Sequence, residues 1–94
     1  MNDMLQMHII EARKSYAAEA MADGRAEEAE RLYKQALTQA ETMSAEDSPL
    51  VGSVLLELFD LYEKQGRHDE AKPVWARIRA ILIKCREQNL DAES

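Results

Sequence analysis

Apolar residues along this chain recur at spacings of three and four, the period of a helix with one buried face. Alternating apolar and polar runs, which would indicate strands, do not occur, and proline and glycine mark only a few breaks. These breaks predict an all-α domain over residues 1–94 with four helices, at about 2–22, 25–43, 49–65 and 68–88. Residues 44–48 are predicted to form a loop, and residues 89–94 a frayed tail.

The second and third predicted helices have the clearest apolar faces. In the second, the residues at helical spacing are Ala26, Ala29, Leu32, Tyr33, Ala36, Leu37, Ala40 and Met43. In the third, the apolar arc covers about half of the circumference and contains Val51, Val54, Leu55, Leu58, Phe59, Leu61 and Tyr62. An arc this wide predicts neighbours on more than one side. Ser48 is suited to cap the third helix, with Pro49 at its first position.

The fourth predicted helix carries two apolar stripes. The main arc contains Ala71, Val74, Trp75, Ile78, Ile81, Leu82 and Cys85. The weaker stripe consists of Ala76, Ala80 and Ile83, and four helices leave it without a partner. We therefore expect this stripe to contact a second copy or a docking partner. Pro73 lies near the start of this helix and is not expected to break it.

A short motif occurs twice at a fixed offset. Residues 23–29 and 65–71 both contain Gly-Arg-X-acid-Glu-Ala, and their glycines, Gly24 and Gly66, are 42 positions apart. In each copy the glycine ends one helical pattern and two acidic residues begin the next. Such a repeat predicts two helix-turn-helix hairpins stacked as a short solenoid.

Composition excludes several classes of protein. The formal net charge is -6, and no basic run exceeds Arg13-Lys14, so we expect neither a nucleic-acid nor a membrane surface. No apolar run approaches the ~20 residues of a membrane-spanning helix, and the first ten residues do not resemble a signal peptide. Cys85 is the only cysteine, so no intrachain disulfide can form. These features predict a cytoplasmic protein.

Catalytic and metal-binding residues are poorly represented. The only histidines are His8 and His68, and Cys85 lies about 25 Å from His68 if the fourth helix is continuous. No pair of these residues has metal-ligand spacing, and no glycine-rich phosphate loop occurs. The paired acidic residues at helix starts complement the helix dipole. We expect no enzyme activity, no metal and no cofactor.

Both copies of the motif, with their flanks, resemble the tetratricopeptide repeat. The matching residues of the first copy are Tyr16, Ala17, Ala20, Gly24, Ala29, Tyr33 and Ala36, followed by Leu37. Those of the second are Leu55, Leu58, Phe59, Tyr62, Gly66, Ala71, Trp75 and Ile78. The resemblance covers about residues 10–84, and departs from the family pattern at Arg13, Ala20 and Phe59. The ordinary repeat has ~34 residues, so the 42-residue offset resembles the longer, kinesin-light-chain-like subclass.

The resemblance implies a binding surface on the concave side, formed by the first helix of each hairpin. Carried over by position, the residues implied there are Glu11, Lys14, Ser15, Ala18, Ser53, Leu56, Glu57 and Asp60. Some members of the family hold a partner's C-terminal carboxylate with lysine and asparagine. Lys14 matches this clamp, but Ala18 and Glu57 stand where asparagines would be, so the clamp is not expected. Glu57 and Asp60 favour a basic or amphipathic segment instead.

The sequence thus predicts a small non-catalytic adaptor or scaffold that binds a protein or peptide partner. Two alternatives remain open. One is a homo-oligomeric assembly protein, such as a homodimer, that uses Ala76, Ala80 and Ile83. The other is a small regulator or chaperone that sequesters an enzyme or a transcription factor.

Overall fold

Four α-helices make up the fold in a computed structural model, which describes residues 3–45 and 47–93. They are α1 (Asp3–Ala22), α2 (Ala26–Met43), α3 (Pro49–Lys64) and α4 (His68–Glu93). The first pair and the last pair each form a hairpin, and α2 packs against α3 to join the two hairpins. No strand occurs over the described ranges. The predicted all-α fold of two stacked hairpins is confirmed.

The last helix differs from the prediction at its end. It continues to Glu93, through the segment in which the sequence predicts a frayed tail. The reason is that no glycine or proline follows Pro73, so nothing in residues 74–93 ends the helix. Pro73 itself lies inside α4 without interrupting it, as predicted. The predicted helix start at Asn2, and the last tail residue, Ser94, lie outside the described residues.

The repeated motif forms the same turn in both hairpins. Gly24 and Gly66 have φ values of 81° and 73°, in the left-handed region that favours glycine. After each glycine, an arginine amide donates a hydrogen bond back to the preceding helix: Arg25 to the Ala20 carbonyl at 2.7 Å, and Arg67 to the Tyr62 carbonyl at 2.8 Å. This pairing satisfies carbonyls at the helix end that lack an intrahelical partner. The motif therefore sets the direction in which each second helix returns.

The core lies mainly around α3, which contacts both α2 and α4. The prediction that its wide apolar arc has neighbours on two sides is confirmed. Its buried apolar residues are Val51, Val54, Leu55, Leu58, Leu61 and Tyr62. From the facing helices, α2 contributes the buried residues Ala29, Tyr33, Ala36 and Ala40. Small residues on α2 let the two hairpins approach closely, and the larger α3 side chains fill the space between them.

The main arc of α4 is buried only in part. Ala71, Ile78 and Ile81 are buried, as the spacing predicts. Trp75 and Leu82 share the arc by spacing but remain 45% and 56% exposed. In the described part of the chain, α4 packs mainly against α3, so the rest of its surface stays open.

A charged contact joins the two hairpins. Arg67, at the second turn, donates hydrogen bonds to the Glu30 carboxylate of α2 at 2.7 and 3.2 Å. Glu30 also accepts from the Tyr62 hydroxyl at 3.1 Å and pairs with Lys34 at 2.8 Å. The Arg67 guanidinium lies 4.6 Å from the centre of the Tyr62 ring, within cation-π distance. This contact holds the second turn against α2 and so fixes the angle between the hairpins.

The start of α3 provides a stability prediction. The Ser48 hydroxyl accepts a hydrogen bond from the Val51 amide at 3.2 Å, and Pro49 occupies the first helical position, as the sequence predicts. We expect Ser48→Ala to lower the free energy of unfolding by about 1 kcal/mol, because an orphan helix amide loses its acceptor. Urea denaturation followed by circular dichroism measures this. Ser15→Ala, at an exposed position inside α1, is the control, and equal effects of the two variants would contradict the cap.

Candidate partner-binding groove

The first helices of the two hairpins, α1 and α3, border an open cleft of about 480 Å³. It is lined by Ala18, Met21, Ala22, Tyr33, Leu56, Glu57, Asp60, Leu61 and Lys64. Four of these, namely Ala18, Leu56, Glu57 and Asp60, are among the residues that the resemblance implies for the concave surface. Leu56 points away from the apolar arc of α3 and is 48% exposed. An exposed leucine in a cleft is a surface that an apolar partner side chain can cover.

Lys14 of α1 connects Glu57 to two more of the expected residues, Glu11 and Ser53. Its ammonium group lies 3.0 Å from the Glu57 carboxylate, 3.4 Å from Glu11 and 3.4 Å from the Ser53 hydroxyl. Burial alone would lower the pKa of Lys14, but the hydrogen bond and charge of Glu57, together with Glu11, outweigh burial and raise it. Lys14 is therefore charged and bound within the protein. An incoming C-terminal carboxylate would have to compete with Glu57 for it.

Tyr33 of α2 reaches the cleft from behind. Its ring is buried in the core, while the residue also lines the cleft. Burial, with the charges of Glu57 and Asp60 added to it, raises the pKa of Tyr33 to about 12. Tyr33 is thus neutral, and Glu57 is held by Lys14, whose ammonium group lies 3.0 Å from its carboxylate. Glu57 is the best-oriented carboxylate of the cleft.

The charges at the open end of the cleft come from α3. Asp60 pairs with Lys64 one turn later, at 2.9 Å, and both side chains remain more than half exposed. Exposed pairs of this kind contribute little to stability and exchange readily with another charged ligand. Around Leu56 the cleft therefore presents one fixed carboxylate, Glu57, and one that a partner's cation can recruit, Asp60.

The remaining expected residues lie elsewhere. Ser15 is exposed on α1 and does not line the cleft. The stripe of Ala76, Ala80 and Ile83 is exposed along α4, and Ala80 borders a separate depression with Asp47, Arg77 and Ile81. These four residues are thus not part of the groove that joins α1 to α3.

Position within the repeat does not identify Tyr33, Met21 or Lys64 as groove residues, although all three line the cleft. Tyr33 lies in the apolar stripe of α2, which indicates only burial. The residue type is the one feature that points to the groove, because a buried tyrosine needs a hydrogen-bond partner and tends to reach a polar edge. Lys64 could have been found as the helical partner of Asp60, four residues earlier. Met21 carries no such signal, since only the packing of α1 against α3 brings it to the cleft.

Other kinds of site are not supported in the described residues. A wider depression of about 690 Å³ runs along α2, but its lining is polar or charged, and several of these side chains pair within the protein, as Arg13 does with Gln39 at 2.6 Å. No group of three or more histidine, cysteine, aspartate or glutamate side chains is placed to hold a metal in residues 3–45 and 47–93. Over the same residues, none of the helices has the length and apolar character needed to cross a membrane.

Comparison with protein families gives one match. The family model described as "Tetratricopeptide repeat" matches residues 10–84, which include most of both hairpins and every groove residue. Neither a comparison with curated proteins nor one with solved structures gives a significant match.

Proposed function

The chain belongs to the tetratricopeptide repeat family, and on this premise we propose that it binds a protein partner in the groove between α1 and α3. Repeats of this family generally mediate protein-protein interaction and are typically non-catalytic. The observation that carries the proposal is Leu56, half exposed in a cleft whose nearest carboxylate, Glu57, is oriented by Lys14. The chain acts as an adaptor or scaffold without catalysis.

The chemistry of the groove favours an amphipathic segment with basic residues. Ala18, Met21 and Leu56 offer apolar surface for one or two aliphatic side chains of the partner. Next to them, Asp60 offers a carboxylate whose own lysine partner is exposed and displaceable. Glu57 keeps about a third of its side chain exposed while it is held in place. A partner segment with a lysine or arginine beside an aliphatic residue would both cover the apolar surface and pair with these carboxylates.

A peptide array tests the ligand class. It presents amphipathic peptides of about 12 residues that share one apolar face and differ only in carrying lysine or glutamate on the polar face. We expect the basic set to bind the wild-type chain. Stronger binding of the acidic set would contradict the proposal.

Two matched variants test the position of the site. Leu56→Glu should weaken the binding of the basic peptides by about tenfold or more, because it removes the apolar contact at the centre of the groove. Ile83→Glu is the control: Ile83 is also 48% exposed, but it lies on α4 outside the groove. Equal binding by Leu56→Glu and the wild type would place the site elsewhere. Circular dichroism before each titration verifies that both variants are folded.

A second candidate function is homo-oligomeric assembly through Ala76, Ala80 and Ile83. The observation in its favour is that all three lie exposed on one side of α4. The variant Ile83→Glu separates this candidate from the adaptor, since assembly through the stripe would be lost and peptide binding would not. A regulator that sequesters its partner would use the same groove and differ only in what the partner does when released.

Two narrower assignments also belong to the proposal. The 42-residue offset, with Pro49 before the second hairpin and Pro73 inside α4, supports membership of the long, kinesin-light-chain-like subclass. Cys85 is the single cysteine of the sequence and is partly buried, which agrees with a cytoplasmic location.

A further inference from the structure

The inner junction is the place where the second hairpin packs on the first. Because equivalent residues of the two hairpins are 42 positions apart, this junction can be compared with the two ends of the molecule. At the inner junction, Val51, Val54 and Leu58 of α3 pack on the second helix of the first hairpin, with Val74 of α4 beside them. These side chains pack against residues of the first hairpin that include Ala17, Tyr33, Leu37 and Ala40. Each set has a counterpart 42 positions away, at an end of the molecule that the described helices leave uncovered.

The first set corresponds to Ile9, Ala12, Tyr16 and Leu32, which we name the leading face. Tyr16 is 61% exposed, whereas its counterpart Leu58 is buried in the junction. Tyr16 and Leu32 line a depression of about 410 Å³ whose other residues are charged: Glu19, Asp23, Arg25 and Glu28. Arg25 is already paired with Asp23 and Glu28. The leading face is therefore apolar with a net negative border.

The second set corresponds to Phe59, Trp75, Arg79 and Leu82, which we name the trailing face. Phe59 and Trp75 stack with ring centres 5.4 Å apart, and they line a depression of about 320 Å³. Leu82, two helical turns after Trp75, continues this apolar surface along α4. Lys72 and Glu63 border the depression, and Arg79 and Arg86 are exposed further along the same helix. With three basic residues against one acidic residue, the trailing face is apolar with a net positive border.

We propose that the chain associates with itself head to tail, with the trailing face of one copy packed on the leading face of the next. The two copies pack in the same register as the two hairpins within one chain. In this register, Trp75 takes the place of Tyr33, and Tyr16 of the next copy takes the place of Leu58. The aromatic side chains enter the two depressions, and the opposite charges of the two borders face each other.

One position shows how the contact between copies differs from the inner junction. Inside the chain, Glu30 of α2 pairs with Arg67 of the second turn. Between copies, Lys72 stands at the place of Glu30, and the next copy presents Arg25 together with Asp23 and Glu28. This triplet has a net negative charge, so Lys72 is attracted to its carboxylates, not to the arginine.

Head-to-tail contact has a distinctive consequence for the size of the assembly. The two faces are different surfaces, so each added copy presents another free trailing face. The average mass should therefore rise past that of a dimer as concentration increases. Exposed charges at the borders are screened by salt, so raising NaCl from about 0.05 to about 0.5 M should reduce the average mass.

Light scattering coupled to size exclusion, over about 10 µM to about 1 mM chain, measures this series. Leu82→Glu blocks only the trailing face, and Tyr16→Arg blocks only the leading face. Each should raise the apparent dissociation constant by about tenfold or more, because it removes an apolar contact and turns the local charge against the opposite face. Ile83→Glu, on the same helix as Leu82 but outside both faces, should associate like the wild type.

Mixing the two blocked variants gives the decisive result. Each retains one intact face, so an equimolar mixture should form a dimer of one chain of each kind that grows no further. A wild type that stays monomeric throughout the series overturns the proposal, as does one that stops at a dimer. So does a mixture that remains monomeric, or loss of association in Ile83→Glu. Ile9→Arg and Arg79→Glu form a second pair if circular dichroism shows that either first variant is unfolded.

Discussion

Replacing Leu55 with alanine is expected to lower the free energy of unfolding by about 2 to 5 kcal/mol. Leu55 is 1% exposed and belongs to the buried cluster in which α3 meets residues of all the other helices. Its truncation leaves a cavity that α-helices packed on two sides of α3 cannot close without losing other contacts. A domain of this size has a total stability of roughly 5 to 15 kcal/mol, so this loss is a large part of it.

The neighbouring leucine is a matched control for this experiment. Leu56 is 48% exposed and points into the groove, so Leu56→Ala should change the free energy of unfolding by no more than about 0.5 kcal/mol. Both variants replace a leucine of α3 with alanine, so they change helix propensity equally. Urea denaturation followed by circular dichroism compares their free energies of unfolding. Similar destabilisation by both would show that α3 does not bury the face that contains Leu55.

Glu30→Gln is the substitution with the second largest expected effect, about 1 to 3 kcal/mol of unfolding free energy at pH 7. Glu30 is mostly buried and accepts hydrogen bonds from Arg67 and Tyr62 across the junction between the hairpins. The amide keeps the size of the side chain but removes its charge, which leaves the Arg67 guanidinium with Glu70 as its remaining carboxylate partner. The control is Glu28→Gln, which affects exposed pairs within one hairpin and should cost under about 0.5 kcal/mol.

The same contact predicts a dependence on pH. The hydrogen bonds of Arg67, aided by Lys34 and Tyr62, lower the pKa of Glu30 from 4.5 to about 2. Because the folded pKa lies below the unfolded value, the contribution of Glu30 is fully present above about pH 5 and is lost as pH falls towards 2. The difference in stability between the wild type and Glu30→Gln should therefore be largest near neutral pH and shrink over this window. A difference that stays constant from pH 7 to pH 2.5 would contradict the assignment.

Much of the fold follows from local features that the sequence displays directly. Helical spacing of apolar residues, the glycines at positions 24 and 66, and the pair Ser48-Pro49 specify the helices and their turns with short-range physics alone. The end of α4 was less well specified. Helix ends depend on stop signals, and residues after Pro73 contain neither glycine nor proline to provide one.

The groove was only partly predictable. Position within the repeat led to Leu56, Glu57 and Asp60, which do line the cleft. It did not lead to Tyr33, which comes from the second helix of the first hairpin and reaches the cleft from the core. It also could not show that Lys14 is held by Glu57, because that pair joins residues 43 positions apart in the sequence.

The sequence by itself determined the helices and the two matching turns, since each depends on residues within one or two helical turns of each other. Only the tertiary structure decided which apolar residues are covered. Spacing assigns Trp75 and Ile78 to one arc of α4, yet Ile78 is buried by α3 and Trp75 remains largely exposed. Burial depends on whether another helix lies opposite, and that is a property of the whole assembly of helices, not of the period along one of them.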